Sequence, residues 1–406
     1  CECEIVLMRL AAFRLHLLFC GNQTTTKVLC LVSPDMASST KTKTPLQALI
    51  LADSFTNTCR PISLERPKVL FPLGGTTPMI AYVLEFLEAS GVEEAFVFCS
   101  SFAGEVERFL ASSKYSSGIG DMVVRAVRHE KCATAGDALR EVHTRELLKS
   151  EPFVLISGDV VSNVNLAAVI EEHKLRHARD KECIMTMCFK QAPSTCRTRA
   201  LGDDLVVAMD GKDNRVLQYL DEPGKAEVQF DSPCFKHHTK VRFRYDLLDC
   251  NVDVCSLSMV DRIADEYDVQ DLRRHFVTRE VADRELGLKI FGHVVQGEYA
   301  ARVFDPRTYD TIACDVIRRW AHPLTVDNNF LDFSASSFTC SRGNRYKETG
   351  VQMASTAEIG PNTVLAGSAQ ERTHVGEKAR ILGGSTVGRG CRIEDGALVS
   401  GSHLWR

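Results

Sequence analysis

Residues 351–400 read VQMASTAEIGPNTVLAGSAQERTHVGEKARILGGSTVGRGCRIEDGALVS, and an apolar side chain recurs in this stretch every six positions. The series breaks once, at Glu371, and resumes with the same spacing. A small residue comes four positions after most of the apolar ones. The apolar position holds Met353, Ile359, Leu365, Val375, Ile381, Val387, Ile393 and Val399. This hexapeptide period predicts a left-handed parallel β-helix, whose triangular interior is filled by the apolar side chains.

The sequence before the repeats alternates short apolar runs with helix-like segments. Leu46–Ala52 is a continuous apolar run, as expected of a parallel strand that is covered on both faces. Pro78 can occupy the first turn of a helix, and the apolar residues after it follow helical spacing. Further strand-like runs lie at 95–99, 122–127, 153–157 and 183–189, with helix-like segments at 135–148 and 166–179. The alternation predicts a doubly wound, mostly parallel α/β sheet.

These two patterns divide the chain into parts. Residues 45–322 are predicted to form the α/β domain, 323–350 a polar linker and 351–406 the β-helix. Terminal repeats of a solenoid normally carry a capping sequence, and none precedes Arg406, so we expect the natural protein to continue.

Residues 1–44 fit neither domain. We expect a non-native or disordered leader before a true start at Met36, because the acidic first residues suit neither a signal peptide nor a mitochondrial presequence.

The composition excludes several classes of protein. The 406 residues are 44% hydrophobic and 25% charged, with a formal net charge of −4. Near-neutral charge argues against direct nucleic-acid binding, and no apolar run is long enough to span a membrane. The 16 cysteines are scattered without a C-x-x-C pair, which predicts free thiols in the reducing cytoplasm and argues against a zinc site.

Two landmarks follow predicted strands of the α/β domain. The loop Leu51–Pro61 has an arginine, Arg60, as its penultimate residue and leads to Pro67-Lys68, before a second apolar stretch. The predicted strand 153–157 runs into Gly158-Asp159. With a β-helix behind it, this order resembles the nucleotide-sugar pyrophosphorylases. In that family a sugar phosphate attacks the α-phosphorus of a nucleotide, and Mg²⁺ held by carboxylates absorbs the developing charge.

The resemblance implies a nucleotide pocket at Asp53, Arg60, Lys68 and Asp159. An ordinary structural explanation stays open for each residue: Gly158-Asp159 is a common polar turn after a buried strand. Arg60 and Lys68 are equally expected as loop charges, paired for example with Glu65.

Several parts of the family pattern are missing. No glycine occurs between Ala52 and Arg60 to let the backbone approach a triphosphate. The lysine that holds the sugar phosphate corresponds to Glu222, and the metal-binding aspartate aligns with Ala301. We therefore predict a vestigial pocket with no catalytic residue, no metal and no cofactor. The alternative is an active nucleotide-sugar pyrophosphorylase with an unusual loop.

A second resemblance is more specific, because it includes the segment Arg318-Arg319-Trp320, which belongs to no general nucleotidyltransferase motif. The segments that carry it are Leu49–Phe55, Tyr82–Leu87, Gly91–Cys99, Asp249–Ser256 and Cys314–Trp320. They are similar to the epsilon subunits of eukaryotic translation initiation factor 2B. This resemblance implies a part in guanine-nucleotide exchange on initiation factor 2, in a complex with a gamma-like subunit and other subunits. In the family, exchange is carried by a C-terminal helical domain beyond the β-helix, so this chain would supply assembly and substrate docking.

The same resemblance points to a docking motif. In the family an Asn-Phe pair before Asp touches the GTP-binding subunit of initiation factor 2, and the pattern here reads Glu266-Tyr267-Asp268. Tyrosine preserves the aromatic contact, whereas Glu266 replaces a neutral amide with a charge. Alternatively, these residues are the exposed entrance of a helix that begins at Asp271.

Overall fold

A computed structural model describes residues 44–53, 57–116, 121–193, 195–221, 224, 227–230, 238–283, 287–327 and 338–405. Thr44–Arg406 form one compact unit. Apart from Thr44, the predicted leader lies outside the described residues, as does Glu222.

The α/β part contains fourteen strands among the residues described. They are β1 Gln47–Leu51, β2 Pro72–Leu73, β3 Thr77–Pro78, β4 Glu94–Cys99, β5 Val123–Arg128, β6 Phe153–Ser157, β7 Val160–Ser162, β8 Cys183–Gln191, β9 Leu205–Asp210, β10 Val216–Asp221, β11 Val241–Arg244, β12 Leu247–Cys255, β13 Lys289–Val295 and β14 Ala300–Arg302. The helices are α1 Met79–Ala89, α2 Ala103–Ser112, α3 Ala135–Thr144, α4 Leu166–Arg179, α5 Leu257–Asp265, α6 Thr278–Ala282 and α7 Pro306–Ile317. A π-helical turn, Leu272–Val277, leads into α6, and 3₁₀ turns lie at Ile62–Leu64, Lys68–Leu70 and Lys114–Ser116.

A seven-stranded sheet forms the centre of this part, in the order β13-β8-β12-β6-β1-β4-β5. β12 runs antiparallel to both of its neighbours, and the other pairs are parallel. Ala48, Leu49 and Ile50 of β1 have no exposed surface, because β1 is flanked by β6 and β4 and covered on both faces. The predicted mostly parallel α/β sheet is therefore confirmed, and the continuous apolar run follows from this double burial.

Short strands make up the C-terminal part, and all their pairs are parallel except the pair formed by the first two. They are β15 Thr339–Ser341, β16 Arg345–Lys347, β17 Val351–Met353, β18 Glu358–Ile359, β19 Thr363–Leu365, β20 Thr373–Val375, β21 Arg380–Ile381, β22 Thr386–Val387, β23 Arg392–Ile393, β24 Leu398–Val399 and β25 His403–Leu404. β17, β20 and β23 form one sheet, β18, β21 and β24 a second, and β15, β16, β19, β22 and β25 a third.

The register of these strands confirms the predicted β-helix. His374 pairs with Arg392, so one coil takes 18 residues, or three hexapeptides. Val351 pairs with Thr373, which is 22 residues away, so the break at Glu371 is a small insertion within one coil. β15 and β16 lie in the segment predicted as a linker, and β16 already pairs with β19.

One face of the β-helix packs against the α/β part. The Tyr346 hydroxyl donates to the Ile317 carbonyl over 3.1 Å, and the imidazole of His403 lies 3.1 Å from a carboxylate oxygen of Asp310. The Trp405 ring lies 5.3 Å from that of Phe71. The α/β residues in these contacts belong to α7 and to the turn before β2. The β-helix therefore packs against these two elements.

A buried polar cluster joins α4 to the central sheet. His173 of α4 is 1% exposed, and its two ring nitrogens lie 3.0 Å from the Thr186 hydroxyl and 3.1 Å from the Ser256 hydroxyl. Burial, together with nearby His177 and Arg176, lowers the pKa of His173 to about 4 from its ordinary value of 6.5. The imidazole is therefore neutral in the folded protein at neutral pH.

We expect this histidine to make the fold acid-sensitive. Below pH 6.5 the unfolded chain binds a proton that folded His173 does not accept, so stability falls as the pH drops from 6.5 towards 4. The total loss is on the order of 3 kcal/mol. Urea unfolding at several pH values should show this loss in the natural protein and not in His173→Gln. His143→Gln, at a half-exposed histidine, is the control and should keep the loss, and equal pH slopes in all three proteins would contradict the assignment.

Candidate functional site

A cavity of about 510 Å³ opens at the carboxyl ends of the central strands. Ligands of open α/β sheets bind at this edge, because the loops that leave parallel strands converge there. The residues that line it include Leu51, Asp53, Ser157, Asn251, Arg273 and Arg302. Of the four residues predicted to form a nucleotide pocket, Asp53 is among those that line this cavity.

Asp159 lies directly beyond β6 and is 1% exposed. Lys68, itself 5% exposed, donates from Nζ to Asp159 Oδ2 over 2.7 Å. Arg302 donates from Nε to Asp159 Oδ1 over 2.9 Å. Although burial alone would favour the neutral acid, the two cations hold the pKa of Asp159 well below its usual range. Asp159 is therefore a permanently ionised group with a cation on each oxygen.

The pairing of β7 with β14 positions Arg302. Arg302 lies opposite Val160, the residue after Asp159, and the Val303 amide donates to the Asp159 carbonyl over 2.9 Å. Successive side chains of a strand point to opposite faces, and Arg302 is the β14 residue whose side chain reaches the carboxylate. The sequence analysis singled out neighbouring Ala301 and missed Arg302.

The other predicted pocket residues lie in different surroundings. Asp53 lines the cavity and accepts a hydrogen bond from the Ser100 amide, and burial raises the pKa of its carboxyl group. Arg60 is exposed and is not among the cavity-lining residues. Lys68 pairs with Asp159, which is not the Glu65 partner considered from the sequence. The structure thus brings Lys68 and Asp159 together, adds Asp53 at the cavity wall and leaves Arg60 apart.

A second ion cluster was not anticipated from the sequence. Arg273, in the π-helical turn, lies 2.8 Å from a carboxylate oxygen of Asp253 and donates to Asp249 over 3.0 Å. Burial and the charge of Asp249 raise the pKa of Asp253 despite the arginine, since one guanidinium faces two carboxylates. Arg274 donates to Asp221 over 3.1 Å. The arginines that line the cavity are therefore paired with the protein's own carboxylates.

This arrangement does not fit a magnesium site. Mg²⁺ needs carboxylate oxygens that are free to coordinate it, and both oxygens of Asp159 accept hydrogen bonds from cationic side chains. In the part of the chain that the structure describes, no group of three or more His, Cys, Asp or Glu residues is arranged to hold a metal ion.

The predicted docking motif divides into an inward and an outward part. Glu266 forms ion pairs with Arg262 and, at 2.9 Å, with Arg279, and its side chain is only 10% exposed. Tyr267 is 81% exposed, with the Arg140 guanidinium 5.9 Å from its ring centre, and Asp268 is exposed. Glu266 therefore anchors the turn from inside, while Tyr267 and Asp268 face solvent.

Comparison with known proteins extends these observations. Residues 47–196 match the nucleotidyl transferase family. The chain is 40% identical over 325 residues to the translation initiation factor eIF2B subunit epsilon of Dictyostelium discoideum, in an alignment that covers 80% of this chain and 45% of that protein. It is 38% identical over 326 residues to the subunit of the same name from Schizosaccharomyces pombe, covering 80% and 47%. It is also 24% identical over 363 residues to a probable mannose-1-phosphate guanylyltransferase 3 of Oryza sativa, covering 88% and 85%.

These similarities confirm the resemblance to the epsilon subunits that the sequence segments indicated. The chain spans about half the length of the two initiation-factor subunits. Among the helices described, none combines the length and the apolar character that crossing a membrane requires.

Substitution of Lys68, in the buried ion pair, and of Arg60, at an exposed position, should change the stability of the protein by different amounts. Lys68→Met keeps most of the aliphatic packing but leaves the buried Asp159 with one cation, so we expect a loss of about 3 kcal/mol in the free energy of unfolding. Arg60→Met, at an exposed position, should change it by less than about 0.5 kcal/mol. Urea denaturation of both variants measures the difference, and unfolding at the same urea concentration would show that Lys68 is not a structural residue.

Proposed function

We propose that this chain is the nucleotidyltransferase-like and β-helical part of an epsilon-type subunit of the guanine-nucleotide exchange factor for initiation factor 2. It contributes assembly and substrate docking in the cytoplasm, and its α/β pocket does not catalyse nucleotidyl transfer. The observation that carries the proposal is the similarity of about 40% to eIF2B epsilon subunits across 80% of the chain. Its partners are then a gamma-like subunit, the other subunits of the factor and initiation factor 2 itself.

The geometry of the cavity supports the loss of transferase activity. Attack of a sugar phosphate on a nucleotide requires cations that are free to stabilise charge in the transition state. Here Lys68 and Arg302 are bound to Asp159, and Arg273 is bound to Asp249 and Asp253. A triphosphate would have to displace these internal ion pairs, and removing one partner of a buried pair is strongly unfavourable.

An active nucleotidyltransferase is the second candidate. The probable guanylyltransferase of Oryza sativa aligns over 85% of its own length, and a cavity lies at the strand ends. Identity in that alignment is only 24%, however, and the paired cations favour the first proposal.

An enzyme assay separates the two candidates. With a nucleotide sugar, pyrophosphate and Mg²⁺, we expect no release of nucleoside triphosphate above the rate without protein, because the cationic groups are already paired. A pyrophosphorylase of known activity is the positive control. Measurable triphosphate release that Lys68→Met abolishes would overturn the inactive pocket and favour the second candidate.

Two exposed surfaces suit protein partners. Tyr267 and Asp268 form the first, and large aromatic side chains are enriched among the residues that dominate binding energy. The second lies on the β-helix, where Leu398 of β24 is 62% exposed and Leu382, which follows the paired strand β21, is more than one-third exposed. We assign the first surface to docking of initiation factor 2 and the second to contact with the gamma-like subunit.

The docking assignment predicts a specific loss of affinity. Tyr267→Ala should weaken binding of the chain to initiation factor 2 on the order of tenfold, since a central aromatic contact contributes ~1–2 kcal/mol. Tyr245→Ala is the matched control, because Tyr245 is 75% exposed but lies outside the motif. Surface plasmon resonance with immobilised initiation factor 2 gives both affinities, and equal affinities for the two variants would remove Tyr267 from the docking surface.

A further inference from the structure

The surroundings of Asp159 bear on more than the loss of activity. A pocket of the pyrophosphorylase type implies a divalent cation held by carboxylates, and Asp159 is a buried carboxylate just beyond the carboxyl end of β6. We infer that the guanidinium of Arg302 occupies the position beside Asp159 that a divalent cation would take. The cavity then contains a bound arginine side chain and no metal site.

Hydrogen bonding to Asp159 leaves little room for a metal ion. Mg²⁺ binds carboxylate oxygens at about 2.0–2.1 Å and requires a near-octahedral set of oxygen ligands. One Asp159 oxygen accepts from Arg302 at 2.9 Å and the other from Lys68 at 2.7 Å. The carboxylate carries one negative charge and its two partners carry two positive charges, so a third cation would be repelled.

Arg302 is also held from its other side. Its Nη1 group donates to the Asn251 side-chain oxygen over 3.3 Å, and its side chain is 23% exposed, along the cavity wall. The guanidinium is thus fixed between Asp159, just beyond the end of β6, and Asn251 in the middle of β12. Unlike a metal ion, it cannot dissociate, because it is covalently part of the chain.

The other carboxylates of the cavity do not supply an alternative metal site. Asp253 is engaged by Arg273, and Asp221 by Arg274. Asp271 accepts the backbone amides of the π-helical turn that it precedes. Asp53 accepts the Ser100 amide and lies in a separate loop after β1.

Binding of Mn²⁺, followed by electron paramagnetic resonance of the free ion, tests the inference directly. The natural protein should show no saturable binding at millimolar Mn²⁺. Arg302→Ala should unfold at a lower temperature, because Asp159 keeps only Lys68, and Mn²⁺ should restore part of that loss by entering the vacated position. The double variant Asp159→Asn with Arg302→Ala should not respond to Mn²⁺.

Arg274→Ala is the matched control, because it removes another arginine–aspartate pair from the same cavity. Its unfolding temperature should be the same with and without Mn²⁺.

Saturable Mn²⁺ binding by the natural protein that Asp159→Asn removes would overturn the inference, whether or not Arg302→Ala folds. An Arg302→Ala protein that is destabilised but gains nothing from Mn²⁺ would overturn it as well. Neither outcome depends on transferase or exchange activity, so the inference fails or stands separately from the proposed function.

Discussion

A carboxylate that is withdrawn from water stays ionised only where cations and hydrogen-bond donors replace its hydration. Asp159 meets this condition with Lys68 on one oxygen and Arg302 on the other. These three residues come from the 3₁₀ turn after the first loop, the end of β6 and the strand β14. One electrostatic requirement therefore joins three distant segments at the edge of the sheet, beside the cavity that Arg302 lines.

The fold could be predicted from the sequence because its signals are local. A six-residue apolar period can be recognised without knowing which distant residues are in contact. A continuous apolar run such as that of β1 indicates a strand that is buried on both faces. The ion pairs carry no such signal. Arg302 and Asp159 are 143 positions apart, and only the register of β7 against β14 brings them together.

The predicted docking motif also depends on ion pairs that the sequence does not reveal, here between residues closer together in the chain. From the sequence, Tyr267 preserves the aromatic residue of the family motif and Glu266 replaces its amide with a charge. In the structure, ion pairs with two arginines hold the glutamate inward, whereas the tyrosine is exposed. Arg262 is one helical turn before Glu266, a spacing that a sequence can reveal, whereas Arg279 reaches it from beyond the π-helical turn. Which side chain of this turn faces solvent thus depended on contacts made by a neighbouring helix.

The internal pairing of charges has a consequence for ligand binding. In an enzyme, cationic side chains in such a cavity stay available for phosphate, and their mutual repulsion is relieved when the ligand arrives. Here that repulsion is relieved by Asp159, Asp249 and Asp253 within the chain, so a phosphate ligand has less electrostatic energy to gain. The stabilisation that a substrate would supply is instead built into the fold. Internal pairing of this kind suits the proposed scaffold role, because such a domain needs no ligand to neutralise its buried charges.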